Sequence, residues 1–195
     1  MSIPLPTATV LFLPGWQDSG DGHWQSLWEA QGLGHKLVQD DWLWPRRGDW
    51  MARLDEALLA LPSDAPPVVL VAHSLGCQLV AAWAAHSTHT PRVQAALLVA
   101  PPDTEREDMP PQLHSWRPMP RHRLPFRSIA VLSTNDPYGE LSRCSALATD
   151  WGSTQVIAGP LGHLNGESGL GDWPQGRAWL DSLWVDPDPE AFPPT

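Results

Sequence analysis

Positive charge is scarce in this chain. Twelve Lys and Arg stand against 22 Asp and Glu among 195 residues, a formal net charge of −10. Nucleic acid and anionic membrane surfaces both require basic patches, so neither is an expected partner. The densest basic group, Arg117, Arg121, Arg123 and Arg127, is loose and reads as a solvated loop. Cysteine is nearly absent: Cys77 and Cys144 are the only two, and they form no metal-ligand spacing. Cys77 lies within an apolar run, where a small packed core residue is the expected role. The stretch MSIPLPTATVLFLPG has no basic region, and its apolar run is too short to span a bilayer. The expectation is a cytoplasmic protein without a targeting peptide. No internal repeat is visible. A single tyrosine accompanies twelve tryptophans, and tryptophans scattered singly suit cores better than ligand sites.

What the chain does have is a series of short apolar segments punctuated by 22 prolines and 15 glycines. Its length suits one domain, expected over residues 1–185, with the acidic, proline-rich stretch 186–195 a disordered tail. Runs rich in β-formers predict strands over Ala8–Leu13, His35–Val38, Pro67–Ala72, Val93–Ala100, Ser128–Ser133 and Thr154–Ile157. Helical spacing predicts helices over Gly22–Gln31, Leu75–His86, Leu141–Trp151 and Trp173–Trp184. A further helix presents Trp50, Leu54, Ala57, Leu58 and Leu61 on one face and stops at Pro62. Strands that are apolar throughout, alternating with helices, belong to a mostly parallel sheet covered on both faces. The expected fold is therefore a doubly wound α/β domain, whose sites form at the carboxyl ends of the strands. The irregular segment Pro101–Pro125 reads as a lid over part of the pocket, and shortening it is expected to affect KM more than folding.

Collecting the residues just beyond each strand brings the chemistry together. Pro14-Gly15-Trp16-Gln17 follows the first strand and Ser74 follows the third. Asp103, Asn135-Asp136-Pro137 and Gly162-His163-Leu164-Asn165 follow the next three. The order Ser, Asp, His is that of a nucleophile, an acid and a base in α/β-hydrolases. A serine hydroxyl needs a general base, which His163 supplies, while Asp136 orients the imidazole through its other nitrogen. The backbone N–H groups of Leu75 and Trp16 are the candidate donors to a developing oxyanion. This chemistry requires neither metal nor cofactor.

Each residue also has a plainer reading. Ser74 between strand and helix is a natural N-cap. Asp136 in Asn-Asp-Pro suits a turn, and Asp103 is the rival acid one strand earlier. His163 suits a hydrogen-bonded loop, and His73 a core-edge neighbour of the serine. His23 either lines the site or caps its helix.

Several motifs together resemble one family. They are Pro14-Gly15 with Gly22-His23-Trp24 and Trp28, Gln39-Asp40-Asp41-Trp42 with Asp49-Trp50, and Ala72-His73-Ser74-Leu75-Gly76. Ala100-Pro101-Pro102-Asp103, Asn135-Asp136-Pro137-Tyr138 and Gly162-His163-Leu164-Asn165 with Glu167-Ser168-Gly169 complete the set. In these stretches the chain resembles the small serine hydrolases related to retinoblastoma-binding protein 9 and YdeN. The resemblance implies a minimal α/β-hydrolase without a large cap domain and a triad of Ser74, Asp136 and His163. Ala72 stands where the general hydrolase elbow has its first glycine. Gly15, His23 and Trp42 are the candidate pocket residues. The implied activity is cleavage of a small ester, thioester or amide. Two alternatives remain: an acyltransferase using the same residues, and a protein-binding module with exposed tryptophans as anchors.

Overall fold

A computed structural model describes residues 9–184. The expected disordered tail over 186–195 lies outside these residues. Six strands form one sheet: β1 (Thr9–Leu13), β2 (His35–Lys36), β3 (Val68–His73), β4 (Val93–Val99), β5 (Arg127–Leu132) and β6 (Thr154–Ile157). Their spatial order is β2-β1-β3-β4-β5-β6, and every neighbouring pair is parallel. The helices are α1 (Trp24–Ala30), α2 (Arg47–Ala60), α3 (Leu75–Ala84), α4 (Leu141–Trp151) and α5 (Pro174–Ser182). This is a small α/β fold without a large inserted cap domain.

Alternation along the strands divides the core in two. Leu13, Leu70, Ala72, Ala96 and Leu98 face α2, α3 and α4, together with Trp50, Trp83 and Trp151. Phe12, Val69, Val71, Leu97 and Val99 face α1 and α5, together with Trp24, Trp28 and Trp173. Both sheet faces are covered, which is why β3 is buried at every position. Among the described residues, no helix is long and apolar enough to cross a membrane.

The tryptophans do more than fill space. The indole N–H groups of Trp24, Trp28, Trp50, Trp116 and Trp151 donate to the backbone carbonyls of Leu164, Asp172, Asp41, Pro45 and Pro120. A buried indole must place its one donor, and here that donor ties a loop to the core. The segment from 101 to 125 is held in the same way. Met109, Leu113, Trp116, Met119 and Leu124 join the core beside Trp50, and Pro111–Trp116 forms a short 3-10 helix. Arg117, expected to be solvated, donates to the carbonyls of Thr104 and Arg106 and bolts the segment to itself. Pro102, Met109, Pro110 and Leu113 do line a cavity. The segment is thus a wall built into the core, not a detachable lid, and shortening it would remove core side chains.

One polar cluster joins the middle of α2 to the end of α3 and the residues after it. Asp55 on α2 accepts from Trp83 Nε1 at 2.8 Å on α3, from Ser87 Oγ at 2.6 Å and from His89 Nδ1 at 3.0 Å. Partial burial pushes the Asp55 carboxyl up, but the bonds from Ser87, Trp83 and His89 outweigh it and hold it below its ordinary value. A carboxylate so depressed contributes stability above its unfolded-state pKa, and the contribution is lost as pH falls through the folded value. Asp55→Ala is expected to cost about 1–3 kcal/mol in urea unfolding at neutral pH. The gap from wild type should shrink as pH falls below about 4. A gap independent of pH would remove this role.

Candidate active site

The sharp turn between β3 and α3 builds the centre of the site. Ser74 adopts φ 53°, ψ −122°, a conformation strained for a residue with a side chain. Its hydroxyl makes no capping bond to α3. The turn works because two glycines let backbone pass close by. A Cβ on Gly76 would lie 2.2 Å from the Leu13 carbonyl oxygen, and one on Gly15 would lie 2.7 Å from Ser74 Cβ. The loop after β1 is thereby pressed against the serine. Gln17 and Asp18 in that loop have φ of 69° and 65°. The Gln17 N–H donates to the Trp42 carbonyl, and the Trp16 indole donates to the Leu43 carbonyl.

The freed Ser74 hydroxyl meets His163, whose Nε2 lies 2.8 Å from Ser74 Oγ. His163 Nδ1 lies 2.9 Å from each Asp136 oxygen. A carboxylate only accepts, so Nδ1 carries the proton and Nε2 turns its lone pair to the serine. The side chains of His163 and Asp136 are 8% and 4% exposed, so this line is shielded from competing water. Asp136 also accepts the Tyr138 N–H at 2.9 Å, which fixes the carboxylate. The arrangement can pass the serine proton to His163 and stabilise the resulting imidazolium. An open cavity of about 450 Å³ surrounds it.

A family model for serine hydrolases matches residues 10–182. The chain belongs to the serine hydrolase family. A YdeN-like hydrolase from Pectobacterium atrosepticum is 26% identical with a TM-score of 0.78, over 91% of this chain and 90% of that one. The ydeN gene product of B. subtilis is 21% identical with a TM-score of 0.71, over 92% of this chain and 100% of that one. Carboxylesterase CesB from Bacillus subtilis shares the fold at 13% identity and a TM-score of 0.59, over 93% and 85% of the two chains. No curated protein sequence matches.

In this serine hydrolase the sequence-expected residues divide clearly. Ser74, Asp136 and His163 come together, and Gly15, Trp16, His23 and Leu75 line the same cavity. The N–H groups of Leu75, at the start of α3, and of Trp16 donate to no partner among the described residues. Trp42 is elsewhere: its ring packs on Trp50 at 5.4 Å, and only its backbone carbonyl serves the Trp16 loop. Asp103 pairs with Arg143 at 2.9 Å and does not reach His163.

Both readings of His23 hold. Its Nδ1 accepts the Gln25 N–H to cap α1, and the residue lines the cavity. Burial, with His163 and Lys36 adding to it, pushes His23 down to about 4. His73 is more than a neighbour. Its Nε2 lies 2.9 Å from the His163 carbonyl oxygen, and since a carbonyl only accepts, Nε2–H is the donor. Burial foremost, then His163 and His23, hold its pKa well below that of an ordinary imidazole.

Asn135 is a support that strand-end reasoning did not single out. Its Oδ1 accepts the Gly162 N–H at 2.8 Å and the Ser133 hydroxyl at 3.0 Å, tying the His163 loop to the Asp136 loop. Its place beside Asp136 was the available signal. The cysteine thiols are poor candidates for nucleophiles: burial raises Cys77 far above its ordinary value and pushes Cys144 up to about 12.

Gly76→Ala is expected to cost roughly 1–3 kcal/mol or more, because the new methyl must displace the β1 carbonyl. Chemical denaturation measures this. Wild-type stability would mean that β1 and α3 do not approach so closely.

Proposed function

We propose that the protein cleaves a small ester, thioester or amide through an acyl-enzyme on Ser74. The observation that carries this reading is the hydrogen-bonded line from Asp136 through His163 to Ser74, with contacts of 2.9, 2.9 and 2.8 Å. His163 Nε2 takes the hydroxyl proton as Ser74 Oγ attacks the carbonyl carbon. The oxyanion is received by the N–H groups of Leu75 and Trp16, which have no other partner among the described residues. The tetrahedral species collapses and the leaving group departs with the proton from His163. Water, activated by the same nitrogen, then releases the acid and restores the serine. Asp136 keeps His163 in the required tautomer throughout.

Ser74→Ala should abolish hydrolysis of p-nitrophenyl butyrate and labelling by a fluorophosphonate. Retention of wild-type rates would overturn the reading. Asp136→Asn is expected to lower kcat by about 10⁴-fold, by analogy with a serine protease histidine held in the wrong tautomer. Asp103→Asn should lose far less. The reverse ranking would move the acid to Asp103.

A further inference from the structure

The cavity has an electrostatic character that hydrolysis alone does not require. Among the described residues no Lys or Arg lines it, while Asp18 and Glu167 do. Asp18 is neutralised by Lys36, whose Nζ lies 3.0 Å from its Oδ1. The Glu167 carboxylate has no hydrogen-bond or ion-pair partner among the described residues. Its backbone is nevertheless held: its N–H donates to Asn165 Oδ1 at 3.1 Å, and Asn165 and Ser168 close a capping box around it. The neighbouring imidazoles do not offset the carboxylate, since burial keeps His23 at about 4 and His73 well below the ordinary value.

The cavity also has two distinguishable sides. Met109, Pro110 and Leu113 form an apolar wall. Glu167 belongs to the loop that carries His163, and a Cβ on Gly166 would come within 3.6 Å of Gly22 and His23 across the rim. A departing alcohol or amine takes its proton from His163 Nε2, and His163 and Glu167 share one loop and line the same cavity. Tyr138 also lines the cavity, and its ring packs against His163 with centroids 4.5 Å apart, so it offers an aromatic surface on this side.

We propose that this site selects esters and amides whose leaving group is cationic, an amino alcohol or an amine. Glu167 is the counter-ion, and Tyr138 supplies the aromatic surface. The assignment rests on the hydrolase reading above. The Ser74–acyl bond forms as the acyl bond to the leaving group breaks, the leaving group takes the proton from His163, and water later releases the acid. The net charge of −10 steers cations toward the molecule. An anionic leaving group finds no Lys or Arg on the lining among the described residues.

The test compares butyrylcholine with 3,3-dimethylbutyl butyrate, which has the same acyl group and a carbon in place of the charged nitrogen. A rim-exposed ion pair and one aromatic contact give an expected kcat/KM preference of about five- to tenfold for the cation. The preference should fall toward one in about 1 M salt. Glu167→Gln should bring the ratio to within about twofold of one. The ratio is the readout, because a general loss of activity would lower both rates alike.

In parallel, choline should slow fluorophosphonate labelling of Ser74 more than 3,3-dimethylbutanol does. A wild-type ratio at or below one, or a preference that survives Glu167→Gln, overturns the assignment. So does a labelled protein that choline does not protect, even if it turns over neither ester; the hydrolase reading would then still stand. A folded protein that is neither labelled nor active removes both.

Discussion

The close approach of the β1 loop to the β3–α3 turn is the contact on which the site depends. Gly76 lets α3 start directly against the carbonyl of Leu13, and Gly15 lets the following loop lie on Ser74. Without that approach, Ser74 could relax to an ordinary N-cap and turn its hydroxyl to the helix. With it, the serine is held at positive φ, its Oγ is free for His163, and two backbone N–H groups are left without partners among the described residues. The strain is local. It is sustained by a sheet whose central strand is completely buried and by a helix buried along most of its length.

The loops at this end of the sheet are held by polar side chains anchored in the core. The Trp24 indole grips the Leu164 carbonyl, His73 grips that of His163, and Asn135 grips the Gly162 N–H. His163 is therefore fixed by its backbone on both sides before its imidazole meets Asp136. This division of labour explains how a short 3-10 turn and irregular backbone can position an imidazole within 2.8 Å of the serine. The same logic governs 101–125, which looks like a loop by composition but supplies five buried side chains to the core. Its apolar residues follow no single period, so their burial could not be read from spacing.

The strands were legible because their apolar runs are short, β-branched and bounded by loop residues. The α4 and β6 boundaries agree with the spacing over Leu141–Trp151 and Thr154–Ile157. Trp173 was expected inside the last helix, but it caps α5 at φ 42°, with Pro174 as the first helical residue. Trp42, a pocket candidate, and Asp103, the rival acid, are both engaged elsewhere. Both stand at plausible positions, yet packing on Trp50 and pairing with Arg143 draw them away. Contacts made across the fold leave no periodic trace in the chain.

The amino-acid order by itself determined the α/β architecture, the strand ends that carry chemistry, and the Ser, Asp, His succession. Strand burial and backbone reach dictate these locally. Only the tertiary structure decided which acid meets His163, that His23 both caps a helix and lines the cavity, and that Glu167 on the same lining has no partner among the described residues. Each of these depends on distances between segments far apart in the chain. Those distances are set by how α1, the β1 loop and the His163 loop pack against one another, not by any residue's own propensity.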